Sequence, residues 1–248
     1  MARNKKETAL SVAAALLAWQ AAAMLINQPL LLPTPLAVIL RLPSLCMEEG
    51  YWPAVSGSFL RIALGFLLGL GLGTALGAAA AHVSLLRHML RPYVLAMKSV
   101  PVASFVILAL LWLTSDRLSV LVSFIMVFPV LYLNTLQGLL SVDEKTVQMA
   151  HLYKVPFLKK VRMLYFPHLT PYLLSACGAA LGMAWKAGVA AEVIGVPEGT
   201  IGEKLYDAKI YLNTVDLFAW TVVIVLLSLI FEKTFLFLLK KLLNRGAA

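Results

Sequence analysis

The sequence predicts an all-α, polytopic membrane protein with six transmembrane helices, folded as one domain over residues 1–248. Three observations predict it. Of the residues, 61% are apolar and 13% charged, with a mean hydropathy of +0.87, more than a soluble domain of this length needs to fill one core. The apolar residues fall into six runs of a length suited to a hydrocarbon layer of about 30 Å. The 21 Lys and Arg, which give a net charge of +9, cluster at the ends of those runs, where they meet lipid head groups. A bilayer, and not nucleic acid, therefore accounts for the positive charge.

The runs lie near residues 9–26, 57–81, 92–113, 118–140, 169–194 and 215–240. The first follows Arg3-Asn4-Lys5-Lys6 and is short; a cleaved signal peptide is the alternative, but the Ala run offers only a vague cleavage site. With the N-terminus inside, fifteen Lys and Arg fall on the cytoplasmic side against Arg41, Arg117, Lys204 and Lys209 outside, which predicts both termini in the cytoplasm. Arg61 and Lys186 fall within or at the edge of spans. The second run places Gly65, Gly69, Gly73 and Gly77 on one stripe, where helix backbones can approach closely; packing within the subunit is favoured over an interface between subunits. Cys46 and Cys177 form no CxxC pattern and read as packing residues.

Residues 141–168, on the cytoplasmic side, are far longer than the usual helix–helix connection. Asp143 and Glu144 suit a helix start, and Val147, Ala150, Tyr153 and Met149 recur at helical spacing. Pro156 ends that helix and opens a second, with Phe157, Val161, Leu164 and Tyr165 on one side and Lys159, Lys160 and Arg162 on the other, until Pro167 and Pro171 interrupt it. The expected result is a helix–turn–helix elbow at the membrane surface. By composition alone, such a basic amphipathic segment could rest on the bilayer.

The elbow resembles the cytoplasmic loop of permease subunits of bacterial ATP-binding-cassette importers, whose pattern is Glu-Ala-Ala, a Gly six residues after the Glu, and a downstream Leu-Pro. Anchored on Phe166-Pro167, those positions fall on Gln148-Met149-Ala150 and Lys154. LLPTPLAVIL, KSVPVASFVILALLW, FPVLYLNTLQGLLSV and GMAWKAGVAAEVIGVPEGTIGEKLYDAK resemble further segments of the nitrate/sulfonate/taurine branch. The resemblance implies the type I importer fold and a coupling helix that docks on an ATP-hydrolysing P-loop subunit. It assigns docking to Asp143, Glu144, Val147, Gln148, Ala150, His151, Tyr153, Lys154 and Pro156. It also implies an extracytoplasmic substrate-binding protein, a second permease copy, a homodimer, and a small cargo, either an anion of the sulfonate, taurine or nitrate class or a vitamin precursor. Lys154 and Gln148 depart from the pattern, so the turn must form without a permissive Gly and a charge is lost from the docking surface.

The chain carries no GxxxxGK[ST], so ATP and Mg belong to a separate subunit and no cofactor is expected here. No GxSxG, paired intramembrane carboxylates or His pair with nearby acids marks a catalytic or metal centre. Lys186 and Glu192 stand out, because ionisable residues near a span face a cavity or a partner. Lys186 lies about 25 Å along the fifth span from its cytoplasmic end. A cation lining the route would suit an anion; the alternative is pairing with Glu192 or snorkelling to the interface. A short outer helix over 200–211, with Ile201 and Leu205 on one side, caps or gates the mouth, or rests on the bundle. Two rivals stay open. An ion-driven transporter predicts midplane acids or an inverted repeat, and neither is evident; a non-transporting anchor would use the elbow only for recruitment.

Overall fold

The computed structural model describes the backbone of residues 5–247. Its helices are α1 (Lys5–Ile26), α2 (Pro35–Cys46), α3 (Tyr51–His82), α4 (Ser84–Ser99), α5 (Val102–Ala109), α6 (Ser115–Leu140), α7 (Glu144–Leu152), α8 (Phe157–Lys160), α9 (Phe166–Gly195), α10 (Ile201–Ile210) and α11 (Thr214–Ala247). Residues Val161–Tyr165 form a π-helical stretch between α8 and α9. No strand interrupts the described residues.

The core is built from α3, α6 and α9. Ile62 and Phe66 meet Val127 and Leu131 and the buried face of α9, including Cys177, Leu181 and Trp185. Phe231 and Phe235 of α11 add edge-to-face contacts to Phe66, with ring centroids 6.0 and 4.9 Å apart. The glycine stripe explains how α3 and α6 approach. A Cβ on Gly65 would come 2.4 Å from the Val120 carbonyl oxygen, and one on Gly69 would come 2.7 Å from Val127 Cβ. Gly73 and Gly77 also face α6, so the stripe packs within the subunit.

Among the described residues, four helical stretches are long and apolar enough to span a membrane: Tyr51–His82, Ser115–Leu140, Phe157–Gly195 and Thr214–Leu243. The number rises to five if α4 and α5 count as one broken span, against the six expected. The expected third span, 92–113, begins earlier, at Ser84, and bends by 103° between Ser99 and Val102. Pro101 is the cause: it has no N–H to continue the ladder, and it pushes Val100 into an extended conformation with ψ 126°. The first expected span, 9–26, lies within α1, whose 22 residues are about 33 Å long at 1.5 Å per residue. Trp19 fastens it, donating from Nε1 to the Pro33 carbonyl at 3.1 Å. Arg3, part of the charge asymmetry, lies outside the described residues.

The elbow differs from expectation in its second arm. The interruption expected at Pro167 and Pro171 does not occur, and helix runs without a break from Phe157 to Gly195, 39 residues. The π stretch makes this possible. Phe166 donates to the Val161 carbonyl, five residues back, and the wider turn accommodates Pro167 at the start of the regular helix that follows.

On the opposite side, Thr34 caps α2, accepting from Ala37 N–H at 3.2 Å. Arg41 donates to Asp216 of α11, to Glu48 and to Ser44. The Asp216 hydrogen bond holds the Arg41 guanidinium well above its ordinary pKa, so this tie stays charged at any physiological pH.

Candidate functional site

The elbow begins at Asp143, whose carboxylate accepts from Thr146 N–H at 3.3 Å and from its hydroxyl at 3.0 Å. Glu144 follows in the first turn, where the helix dipole favours an acid, and accepts from Gln148 at 3.4 Å. At the other end, Lys154 N–H donates to the His151 carbonyl and Val155 N–H to the Ala150 carbonyl, both at 3.0 Å. These two bonds form a Schellman motif, whose C′ residue must be left-handed. Lys154 has φ +50°. The turn is thus made in the very geometry that a glycine would relax. Pro156 caps α8 with ψ 145°, and Lys160 Nζ reaches His151 Nδ1 at 3.2 Å, tying the arms together.

No residue of α7 is buried. Val147 and Ala150 are half-buried, whereas Gln148, His151 and Pro156 are exposed. Leu152, Tyr153, Phe157 and Leu158 are 79%, 74%, 68% and 80% exposed. So much exposed apolar area at a charged turn marks a surface that meets a partner or the membrane.

The other expected residues separate. From Ser175 onward the exposed positions of α9 are Ser175, Ala179, Met183, Lys186, Ala190 and Ile194, spaced three or four apart on one stripe. Lys186 projects from that stripe between Met183 and Ala190, and among the described residues no carboxylate pairs with it. Glu192 is fully buried, some 120° round the helix from Lys186. The alternative pairing of Lys186 with Glu192 is therefore not formed.

Glu192 instead closes a polar knot between four helices. It accepts from Ser58 Oγ of α3 at 2.5 Å, from Ser119 Oγ of α6 at 2.9 Å and from Gly202 N–H of α10 at 3.3 Å. Ser58 Oγ accepts in turn from Ile201 N–H at 2.9 Å. Thr200 accepts from Glu203 N–H at 3.1 Å, and Glu203 reaches back to Gly199 N–H at 2.8 Å. The first three amides of α10, normally orphaned, are all satisfied, two of them from within the bundle. A buried carboxylate at a helix N-terminus is favoured by the dipole. Ile201 is fully buried and Leu205 half-buried, both packed against the aromatic layer around Trp220.

Sequence reasoning missed Ser58 and Ser119. Each is one of several polar residues near the outer end of its helix, with Ser56 beside Ser58 and Ser123 beside Ser119, and nothing local marks which of them meets Glu192. Arg61 is answered too: its Nη2 pairs with Asp116 Oδ1 at 3.0 Å. Among the described residues no group of three His, Cys, Asp or Glu is arranged to hold a metal ion.

Comparison with known proteins follows the same lines. A candidate aliphatic sulfonates transport permease of Bacillus subtilis (strain 168), SsuC, is 29% identical, over 86% of this chain and 77% of that protein. The taurine transport system permease protein TauC of Escherichia coli (strain K12) is 24% identical, over 86% and 80%. The nitrate import permease protein NrtB of Synechococcus elongatus is 27% identical, over 61% and 54%. The family model for the binding-protein-dependent transport system inner membrane component matches residues 69–248, which contain the elbow, the α9 stripe and α10. With its all-helical fold and multiple membrane-spanning helices, this chain belongs to that family of inner-membrane transport components.

Proposed function

We propose that this chain is the permease subunit of an ATP-binding-cassette importer, moving a small anion of the sulfonate, taurine or nitrate class that an extracytoplasmic binding protein delivers. The uncovered elbow carries the reading: a capped turn presents Leu152, Tyr153, Phe157 and Leu158, which its own subunit leaves largely exposed. A P-loop ATPase supplies the covering surface. Asp143, Glu144 and Gln148 give the docking helix its polar face, while Ala150 leaves room for the partner's groove. His151 and Lys160 keep the two arms at one angle, and Tyr153, Lys154 and Pro156 form the corner. ATP and Mg are bound by that partner, and this chain is not an enzyme. Both termini lie in the cytoplasm.

A second copy of the permease completes the path, with the α9 stripe of each copy facing the solute. Lys186 attracts the anion there, and the names of the three relatives supply the solute class. Glu192, Ile201 and Leu205 act at the outer gate, holding α10 over the mouth. Closure of the motors moves the elbows and exchanges outward for inward opening.

The test is purification of the solubilised chain from its native membrane, with the wild type set against Ala150→Glu. The expected result is an ATPase bearing GxxxxGK[ST] that copurifies with the wild type and is lost from the variant, because the new carboxylate is desolvated in the groove. Recovery of a folded, dimeric permease without any ATPase, under conditions that keep related importers whole, would overturn the reading. In reconstituted vesicles supplied with binding protein and ATP, Lys186→Gln should lower kcat/KM for a sulfonate roughly tenfold, the effect of losing one charge-assisted hydrogen bond. Unchanged uptake would remove Lys186 from the path.

A further inference from the structure

A second cationic feature lies away from the α9 stripe. Arg87, Arg91, Val94, Leu95 and Lys98 fall on one side of α4 and, with Tyr132 of α6, line a cavity of about 370 Å³. Arg87 is held rigidly: its Nε donates to the Ala80 carbonyl and its Nη2 to the Ala81 carbonyl, both at 3.1 Å. Nη1 is left for a ligand. Arg91 and Lys98 form no ion pair among the described residues. Tyr132 is 2% exposed, yet its hydroxyl has no hydrogen-bond partner. A buried donor without an acceptor is costly, and it lines the same cavity as three cations.

We infer that this cavity is a binding site for an anionic phospholipid, with the phosphodiester on Arg91, Lys98, the free edge of Arg87 and the Tyr132 hydroxyl. The walls decide between a lipid and a free anion. Val94, Leu133 and Leu136 make the remainder apolar, and a small hydrated ion would lose water there without replacement. An amphiphile satisfies both halves. The volume equals about a dozen molecules of liquid water at ~30 Å³ each, enough for a glycerophosphate headgroup and its first methylenes. On the orientation proposed above, the Arg87 end of α4 lies at the cytoplasmic leaflet, where acidic lipids meet basic pockets between helices.

The test uses the full chain in nanodiscs containing phosphatidylglycerol and phosphatidylcholine, with retained lipid counted by native mass spectrometry. Phosphatidylglycerol should be retained selectively by the wild type. Arg91→Gln with Lys98→Gln should weaken retention about thirtyfold, at about fivefold per cation. Tyr132→Phe, which keeps the ring and so the packing, should weaken it severalfold. Equal retention of phosphatidylcholine, or of phosphatidylglycerol by all variants, would overturn the site. Release of the lipid by millimolar inorganic phosphate or ethanesulfonate would assign the cations to a free anion and overturn the lipid. Crosslinking of Leu95→Cys between two permease copies, with no lipid retained, would make this face a subunit contact and also overturn it.

Discussion

Lys154 holds the corner of the elbow in a backbone region that costs a residue with a Cβ about 1–2 kcal/mol. Lys154→Gly removes that cost but adds roughly 0.5–1 kcal/mol of chain entropy to be lost on folding. The first effect is the larger, so the substitution should tighten the turn by up to about 1.5 kcal/mol. Slower hydrogen exchange at the amides of Lys154 and Val155 would register it; faster exchange would count against the left-handed corner. Position 154 is readable in the sequence as a departure from a family pattern, but the compensation is not, because both Schellman bonds are made by backbone groups that any residue carries. Ser58 offers a second case. Ser58→Ala removes a donor to Glu192 and strands the Ile201 amide, which should cost about 1–3 kcal/mol and loosen α10. Faster exchange or proteolysis confined to residues 198–205 would show it.

The helices themselves are largely legible in the sequence. α6 and α10 start and stop within a few residues of expectation because caps and hydrophobic runs are local signals. The α4–α5 bend is not, although Pro101 stands in plain view, since an apolar run reads the same whether its helix is straight or broken. The reverse holds at Pro167, where a proline reads as a stop and a π turn carries the helix past it. The glycine stripe gives this scale its prediction. Gly65→Ala sets a methyl group against the Val120 carbonyl and should cost about 1–3 kcal/mol. A methyl group on Gly71 would meet nothing within 4 Å, so Gly71→Ala should be neutral or slightly stabilising. Thermal midpoints measured in one detergent compare them directly, and equal midpoints would deny the close approach of α3 and α6.

At the scale of the whole molecule, burial is uneven. Half of the most apolar window of Phe157–Gly195 is buried, against 6% for Thr214–Leu243, so α11 lies at the edge of the bundle while α9 runs through the centre. Single cysteines at Leu152 and Tyr211, both exposed, should be labelled by a membrane-impermeant maleimide from opposite sides, Tyr211→Cys in intact cells and Leu152→Cys only after lysis. Labelling of Leu152→Cys in intact cells and of Tyr211→Cys only after lysis would reverse the proposed orientation. Hydropathy makes the spans visible in the sequence, and length does the same for the elbow. Which spans are central stays hidden there, because a leucine that faces lipid and one that faces a neighbouring helix are chemically the same.

The unbroken helix from Phe157 to Gly195 is 39 residues long, about 58 Å at 1.5 Å per residue, and so exceeds the hydrocarbon layer by nearly twofold. One end is the second arm of the elbow; near the other, Glu192 grips the first turn of α10. On the proposed function, the cytoplasmic elbow and the outer gate are therefore two ends of one rod. A stroke delivered to the first would reach the second through a single helix, with the π turn near the elbow as its point of slack.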